Sequence, residues 1–153
     1  MSQVTIGAKL VSEFDREMAK TRKILECVPD EKFEWRPHER SSTLGKLANH
    51  LAAMPIFAAA IVNGMAKRSH DASSNGALLE AFDQNIVASR EALGAASDAH
   101  LTATVPQLNM TREDLLRERM MSHMIHHRGQ LTVYLRLLNV AVPGMYGPSA
   151  DEK

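Results

Sequence analysis

The sequence is poor in cysteine, in aromatic side chains and in long apolar runs. Its single cysteine, Cys27, cannot form a disulfide within the chain, which is typical of proteins in a reducing compartment. One Trp, two Tyr and four Phe stand against nine Met, so Ala, Leu and Met must fill most of the core. Because these residues favour helices and runs of β-branched residues are scarce, the composition predicts an all-α protein.

Neither sign of charge is in excess. The 18 Lys and Arg residues balance 18 Asp and Glu residues, which argues against a nucleic-acid partner, because such proteins normally carry a basic excess. We find no run of about 20 apolar residues and no signal-peptide core, so we expect no membrane partner and a cytoplasmic location. A chain of 153 residues predicts one domain, 1–153.

Apolar residues recur every three to four positions in four segments, which predicts four amphipathic helices. We place them at about 4–27, 41–64, 76–95 and 111–138, with Ser41 or Ser42 capping the second and Thr111 capping the fourth. Pro55 should kink or locally disrupt the second helix. Irregular connectors are expected over 30–40, 67–75 and 100–109. The first and last are long enough for a crossover, so we predict a four-helix bundle with long crossover connections.

The most informative segment is 122–130, SHMIHHRGQ, inside the fourth predicted helix. His123 and His127 are four residues apart and therefore lie one above the other on the same helical face. Two imidazoles in this arrangement can chelate one first-row metal ion, as they do in zinc helices with the HExxH pattern. His50, which stands among apolar residues of the second helix, is a candidate third ligand.

Other interpretations of these histidines remain open. Taken alone, His50 is more often a hydrogen-bonded core residue than a ligand, and burial of three imidazoles without partners would be costly. His126 could pair with His123 at a spacing of three, although a surface role is favoured. The remaining histidines fall in predicted loops: His38, His70 and His100.

Two polar residues follow the histidine pair. Arg128 and Gln130 could support a metal site or bind an anion, although a solvated face or a dimer contact is the favoured interpretation. An alanine-rich face on the second helix would permit close helix contact and suggests a homodimer; its members are Ala52, Ala53, Ala59 and Ala60.

Three segments together are similar to a known family. They are WRPHERS at 35–41 running on to LGKLANHL at 44–51, HMIHHRGQL at 123–131, and PGMYGPSADE at 143–152. On these motifs the chain resembles the DinB-like (DinB/YfiT) superfamily of small four-helix-bundle proteins. The resemblance implies a non-sequential helix order, a frequent homodimer, and a divalent metal ion such as nickel or zinc. It also implies His50, His123 and His127 as the metal ligands.

Three histidines without a fourth protein ligand are typical of a metal site that keeps a position open for chemistry. Some relatives in the superfamily are thiol-dependent S-transferases or isomerases, which implies a low-molecular-weight thiol as a further cofactor and a small-molecule substrate. Thiol S-transfer is the leading hypothesis. The alternatives are a hydrolase that uses metal-bound hydroxide and a non-catalytic, stress-related protein that binds a metal or ligand. No catalytic acid or base is assigned.

Overall fold

A computed structural model describes residues 4–64 and 71–152, and helices account for most of this part of the chain. The helices are α1 (Ile6–Leu25), α2 (Leu44–Ala53), α3 (Ile56–Asn63), α4 (Asn75–Ala95), α5 (Asp98–Thr102), α6 (Arg112–Leu115), the π-helix Leu116–Ser122 and α7 (His123–Leu137). A 3₁₀ turn, Asp30–Lys32, follows α1, and two short antiparallel strands, β1 (Thr104–Val105) and β2 (Met110–Thr111), precede α6.

Four helical segments enclose one apolar core: α1, the α2–α3 pair, α4, and the run from α6 through the π-helix to α7. Their inward residues include Phe14, Leu51, Phe82 and Met124, all of them fully buried. Helix α1 packs more extensively against α4 and α7 than against α2, its successor in the chain. The predicted all-α, four-helix fold is therefore confirmed. Helix α1 does not pack mainly against the helix that follows it in the chain, which agrees with the long connection between α1 and α2.

The second helical segment begins later than predicted. Neither Ser41 nor Ser42 caps it, because Thr43 takes that position and its Oγ1 accepts a hydrogen bond of 3.2 Å from the amide of Lys46. The connector before it folds back on the start of α2, since the amide of Leu44 donates to the carbonyl of Trp35 at 2.8 Å. The two serines therefore belong to the connector.

Pro55 interrupts the second segment, as predicted, and separates α2 from α3. Buried side chains of α4 bind carbonyl groups at the interruption. Asn85 Nδ2 donates to the carbonyl of Ala52 at 2.9 Å, and Ser89 Oγ donates to the carbonyl of Pro55 at 2.6 Å. These bonds satisfy carbonyl groups at the point where the helical hydrogen-bond pattern is interrupted.

The stretch Leu44–Asn63 is long and apolar enough to cross a membrane by length and composition alone, which the sequence analysis did not recognise. Of its most apolar window, 61% is buried inside the fold. Together with the interruption at Pro55, this burial is consistent with the core helix of a soluble protein.

The connector over 100–109 was predicted to be irregular, which is wrong, because it contains the end of α5 and strand β1. His100 lies within α5, and its Nε2 is 2.7 Å from the carbonyl oxygen of Val62 at the end of α3. Ser97 caps α5 by accepting from the amide of His100. The short helix thus joins the end of the α2–α3 pair to the last helical segment.

Arg128 is one of the most deeply buried side chains, with 1% of its surface exposed, which corrects the expectation of a solvated face or dimer contact. Its guanidinium donates to the Glu17 carboxylate at 2.7 Å, to Thr21 Oγ1 at 3.1 Å, and to the hydroxyl of Tyr146. Burial would raise the pKa of Glu17, but hydrogen bonds from Tyr146, Lys20 and Arg128 outweigh it and lower that pKa. Arg128 therefore joins α7 to α1 and to the C-terminal tail.

Two carboxylates fold the C-terminal tail. Asp151 accepts two hydrogen bonds from Arg136 and one from the amide of Val142, and these contacts lower its pKa to about 2. Glu152 accepts from the amides of Gly144 and Ser149. These bonds give the acidic end of the PGMYGPSADE segment a structural role, because they close the tail into a compact turn.

Replacing Arg128 by alanine should lower the free energy of unfolding by about 3–5 kcal/mol, because a fully buried side chain that bonds to Glu17 and Thr21 is removed and leaves a cavity. Urea denaturation measured by circular dichroism gives this quantity. Arg90 is a matched control, since its ion pair with Asp15 is exposed and its replacement by alanine should change stability little. Equal losses in the two variants would contradict the structural role of Arg128.

Candidate metal centre

Three histidine side chains converge where α2 meets the first turns of α7. The ring centroid of His50 lies 5.4 Å from that of His123 and 4.6 Å from that of His127. The His123 and His127 centroids are 4.6 Å apart, and one ring nitrogen from each histidine lies within 4.8 Å of the other two. The structure thus brings the predicted trio together, whereas binding of a metal by it stays a prediction.

A hydrogen bond sets the tautomer of His127. Its Nδ1 lies 2.7 Å from Gln130 Oε1, and because an amide oxygen only accepts, Nδ1 must carry the proton. The Nε2 atom of a neutral His127 then has a free lone pair, which is directed at His123 Nε2 over 2.8 Å. Gln130 therefore occupies the supporting position that metal-binding histidines commonly require.

The electrostatics of His123 favour its neutral form. Loss of solvent contact lowers its pKa, and repulsion from His127 and His126 lowers it further, while a backbone hydrogen bond to Arg119 acts in the opposite direction. A neutral imidazole is the form that binds metals. The local environment of His123 therefore agrees with a ligand.

The donor set fits a divalent metal. Two Nε2 atoms at 2.8 Å need a proton or a cation between them, since their lone pairs would otherwise repel each other. A proton can join only two nitrogens, whereas a metal ion can bind a third, and His50 offers its nitrogen within the same 4.8 Å limit. Imidazole ligands suit zinc, nickel, copper and iron among the first-row metals.

None of the three histidines is buried, which differs from the burial that was considered for them from the sequence. The core positions next to them belong to Leu51, Met124 and Arg128. The trio therefore stands at the edge of the bundle, where a small molecule can approach it.

Two cavities of about 290 Å³ each adjoin the trio. The apolar cavity touches His50 and His123; its other lining residues are Phe57, Ile61, Leu108, Leu115 and Arg119. The polar cavity touches His50 and His127; its other lining residues are Ser41, Ser42, Lys46, Leu47, Gln130 and Tyr134. His50 is shared, so the two cavities meet at the trio.

A third, larger cavity of about 480 Å³ also reaches His50. It lies along α2 and the connector before it, and Lys46 lines both this cavity and the polar one. Asn49 borders it and holds the chain before α4, because its amide group exchanges two hydrogen bonds with the backbone of Ala72. Small molecules therefore have a broad approach to the trio from the α2 side.

The other histidines considered from the sequence, and Tyr134 of α7, lie elsewhere or play other parts. His126 is exposed, and its ring lies 5.1 Å from that of His127, but it is not in the group whose nitrogens converge. His38 accepts a hydrogen bond from the amide of Arg40 in the connector before α2. His70 lies outside the described residues. Tyr134 lines the polar cavity and donates to the carbonyl of Ser42 at 3.2 Å.

Two cationic residues at the cavities, Arg119 and Lys46, were not predicted from the sequence. Arg119 stands four residues before His123, and Lys46 four residues before His50. The same spacing that identified the histidine pair could therefore have found both residues.

A family model described as the DinB family matches residues 1–153. The chain belongs to the DinB family. The family match confirms the resemblance drawn from the three sequence segments, and the histidine trio lies within two of them.

Known proteins agree with this assignment. The uncharacterized protein YrdA of Bacillus subtilis (strain 168) is 26% identical over 152 residues, which covers 93% of this chain and 89% of YrdA. A DinB-like protein from Bacillus cereus ATCC 10987 superposes with a TM-score of 0.78 at 25% identity, covering 93% of this chain and 98% of that one. The DinB-like protein YjoA from Bacillus subtilis shares the fold, with a TM-score of 0.74 at 21% identity over 92% and 99% of the two chains.

Replacing His123 or His127 by alanine should abolish metal binding, because two remaining imidazoles cannot hold the ion tightly. Elemental analysis of protein purified without an affinity tag should give about one metal ion per chain for the wild type. His126→Ala is the matched control and should keep the metal, since this ring lies outside the converging group. Metal retained in all three variants would disprove the site.

Replacing Gln130 by leucine should weaken metal binding about 10–100-fold, because the variant loses the hydrogen bond that orients His127. Competition with a chromogenic chelator measures the change. Gln130→Glu should preserve or strengthen binding, since a carboxylate also accepts from Nδ1. An unchanged affinity in the leucine variant would show that the bond does not support the site.

Proposed function

We propose that the protein is a divalent-metal-dependent enzyme that transfers a small electrophilic group to the sulfur of a low-molecular-weight thiol. The observation that carries the proposal is the position of the histidine trio at the meeting point of two cavities of unlike polarity. His50, His123 and His127 would hold the metal. When bound, the metal would lower the pKa of a thiol so that a thiolate forms near neutral pH.

The presence of an apolar and a polar cavity at the trio, each able to hold one organic reactant, favours group transfer over hydrolysis. A hydrolase needs a cavity for one substrate, because its second reactant is water. Here the apolar cavity and the polar cavity have the same volume and reach different members of the trio, His123 and His127 respectively. This arrangement suits two organic reactants that must meet at one point.

The polar cavity suits the thiol. Ser41 and Ser42 offer hydroxyl and backbone groups, and Lys46 offers a positive charge for an anionic part of the thiol molecule. Gln130 keeps His127 oriented, and Tyr134 fixes the carbonyl of Ser42 at the cavity wall. These residues would bind and orient the thiol, while the apolar cavity would receive the electrophile.

The reaction balances without an oxidant. A bond forms between the thiol sulfur and the electrophilic carbon, and the bond from that carbon to its leaving group breaks. The leaving group departs with the electron pair, and the thiol proton passes to solvent. The described residues that line the polar cavity include no carboxylate, so the chain presents no acidic side chain there to take this proton.

The zinc- or nickel-loaded protein should accelerate the reaction of cysteine or glutathione with chlorodinitrobenzene, followed by absorbance. The rate should fall to the uncatalysed value in His127→Ala, whereas Lys46→Met should raise KM for the thiol more than it lowers kcat. His126→Ala should behave as the wild type. Hydrolysis of an ester or amide without any thiol would instead favour the hydrolase, and metal binding with no turnover on either class would favour a binding protein.

A further inference from the structure

The apolar cavity is built from separate parts of the chain. Phe57 and Ile61 come from α3, Leu115 from α6, and Leu108 from the turn between β1 and β2. Leu108 is 53% exposed, so an apolar side chain lies open to solvent beside the cavity. An apolar cavity of about 150 Å³ can hold benzene, so 290 Å³ accommodates a ring with a short substituent.

Among the described residues, Arg119 is the one charged residue at this cavity, together with His50 and His123, and because the exposed lining is almost entirely apolar, its guanidinium lies at the rim and its aliphatic part forms the wall. Within residues 4–64 and 71–152, no carboxylate lies within ion-pair distance of its guanidinium. Arg117, two residues earlier, differs in that it pairs with both Glu13 and Glu113. The guanidinium of Arg119 is thus available to an external anion.

We propose that the apolar cavity binds the electrophilic substrate and that this substrate is an amphipathic monocarboxylate. Its apolar body, of aryl-alkanoate size, packs against Phe57, Ile61 and Leu115, and its carboxylate pairs with Arg119. A planar guanidinium binds a carboxylate through two parallel hydrogen bonds, which makes arginine well suited to this task. The assignment of this ligand as a substrate rests on the proposed thiol transfer, whereas its binding does not.

We infer the negative charge of the ligand from the cation at each cavity. The polar cavity has its own cation, Lys46, on the His127 side of the trio, and Arg119 lies on the His123 side. Each organic reactant would therefore find one positive charge beside its own cavity. The substrate would be oriented with its carboxylate at Arg119 and its remaining length directed along the cavity.

The test is calorimetric titration with phenylbutyrate and its uncharged amide, neither of which is an electrophile. The wild type should bind the acid about tenfold or more tightly than the amide, because a hydrogen bond to a charged group contributes more than a neutral one. Arg119→Gln should remove that difference and leave amide binding unchanged. Ile61→Trp, which fills the cavity, should weaken both ligands.

Arg16→Gln is the matched control, since Arg16 on α1 bonds only to Ser12 among the described residues and lies outside the cavity. Thermal unfolding of each variant verifies that it is folded. Equal affinity for acid and amide in the wild type, or an unchanged preference in Arg119→Gln, would overturn the proposal. So would a preference that a chelator abolishes in the wild type, because the metal would then be holding the carboxylate.

Ligand binding at Arg119 and catalysis of thiol transfer can be tested independently of each other. His127 does not line the apolar cavity, so His127→Ala should keep the preference for the acid although it loses the metal. Loss of the preference in this variant would also count against the carboxylate site. A protein that binds phenylbutyrate through Arg119 but never reacts with a thiol would refute the proposed function and leave the binding site intact.

Discussion

The packing of α2 against α7 is the contact on which the candidate site depends. His50 comes from α2, and His123 and His127 come from α7, so the three nitrogens converge only while these helices keep their register. Leu51, Met124 and Leu131 are fully buried in the same core. Because interiors are close-packed, a shift of either helix would cost free energy at these positions before it separated the histidines.

Arg128 adds a polar constraint to that packing. It follows His127 directly, and its bonds to Glu17 and Thr21 hold the same turn of α7 against α1. Its bond to Tyr146 brings the C-terminal tail to this turn, and Lys20 lies 4.1 Å from the centre of the tyrosine ring. The HRGQ segment therefore has two separate roles: His127 and Gln130 face the cavity, while Arg128 fixes the helix from behind.

The sequence was sufficient to predict the helical class, the break at Pro55, the cap at Thr111 and the His123–His127 pair, because each depends on residues within about one helical turn. His50 was a candidate from its apolar surroundings, and the family resemblance implied it as the third ligand. The sequence was not sufficient to predict the burial of Arg128. An arginine is nearly always exposed unless it has partners, and its partners here lie 107 and 111 residues away along the chain. The two cavities were likewise hidden, since each is assembled from distant segments.

The π-helix can be recognised in the sequence by a spacing of apolar residues that an α-helix does not produce. Buried apolar residues occur as adjacent pairs five positions apart, Leu115–Leu116 and Met120–Met121, after which the spacing returns to three and four. Five is the repeat of π-type hydrogen bonds, and π-helical turns are frequent at functional sites. The segment ends immediately before His123 and contains Arg119. The change in helix type thus determines which face of the last helical segment presents Arg119 and His123 to the apolar cavity.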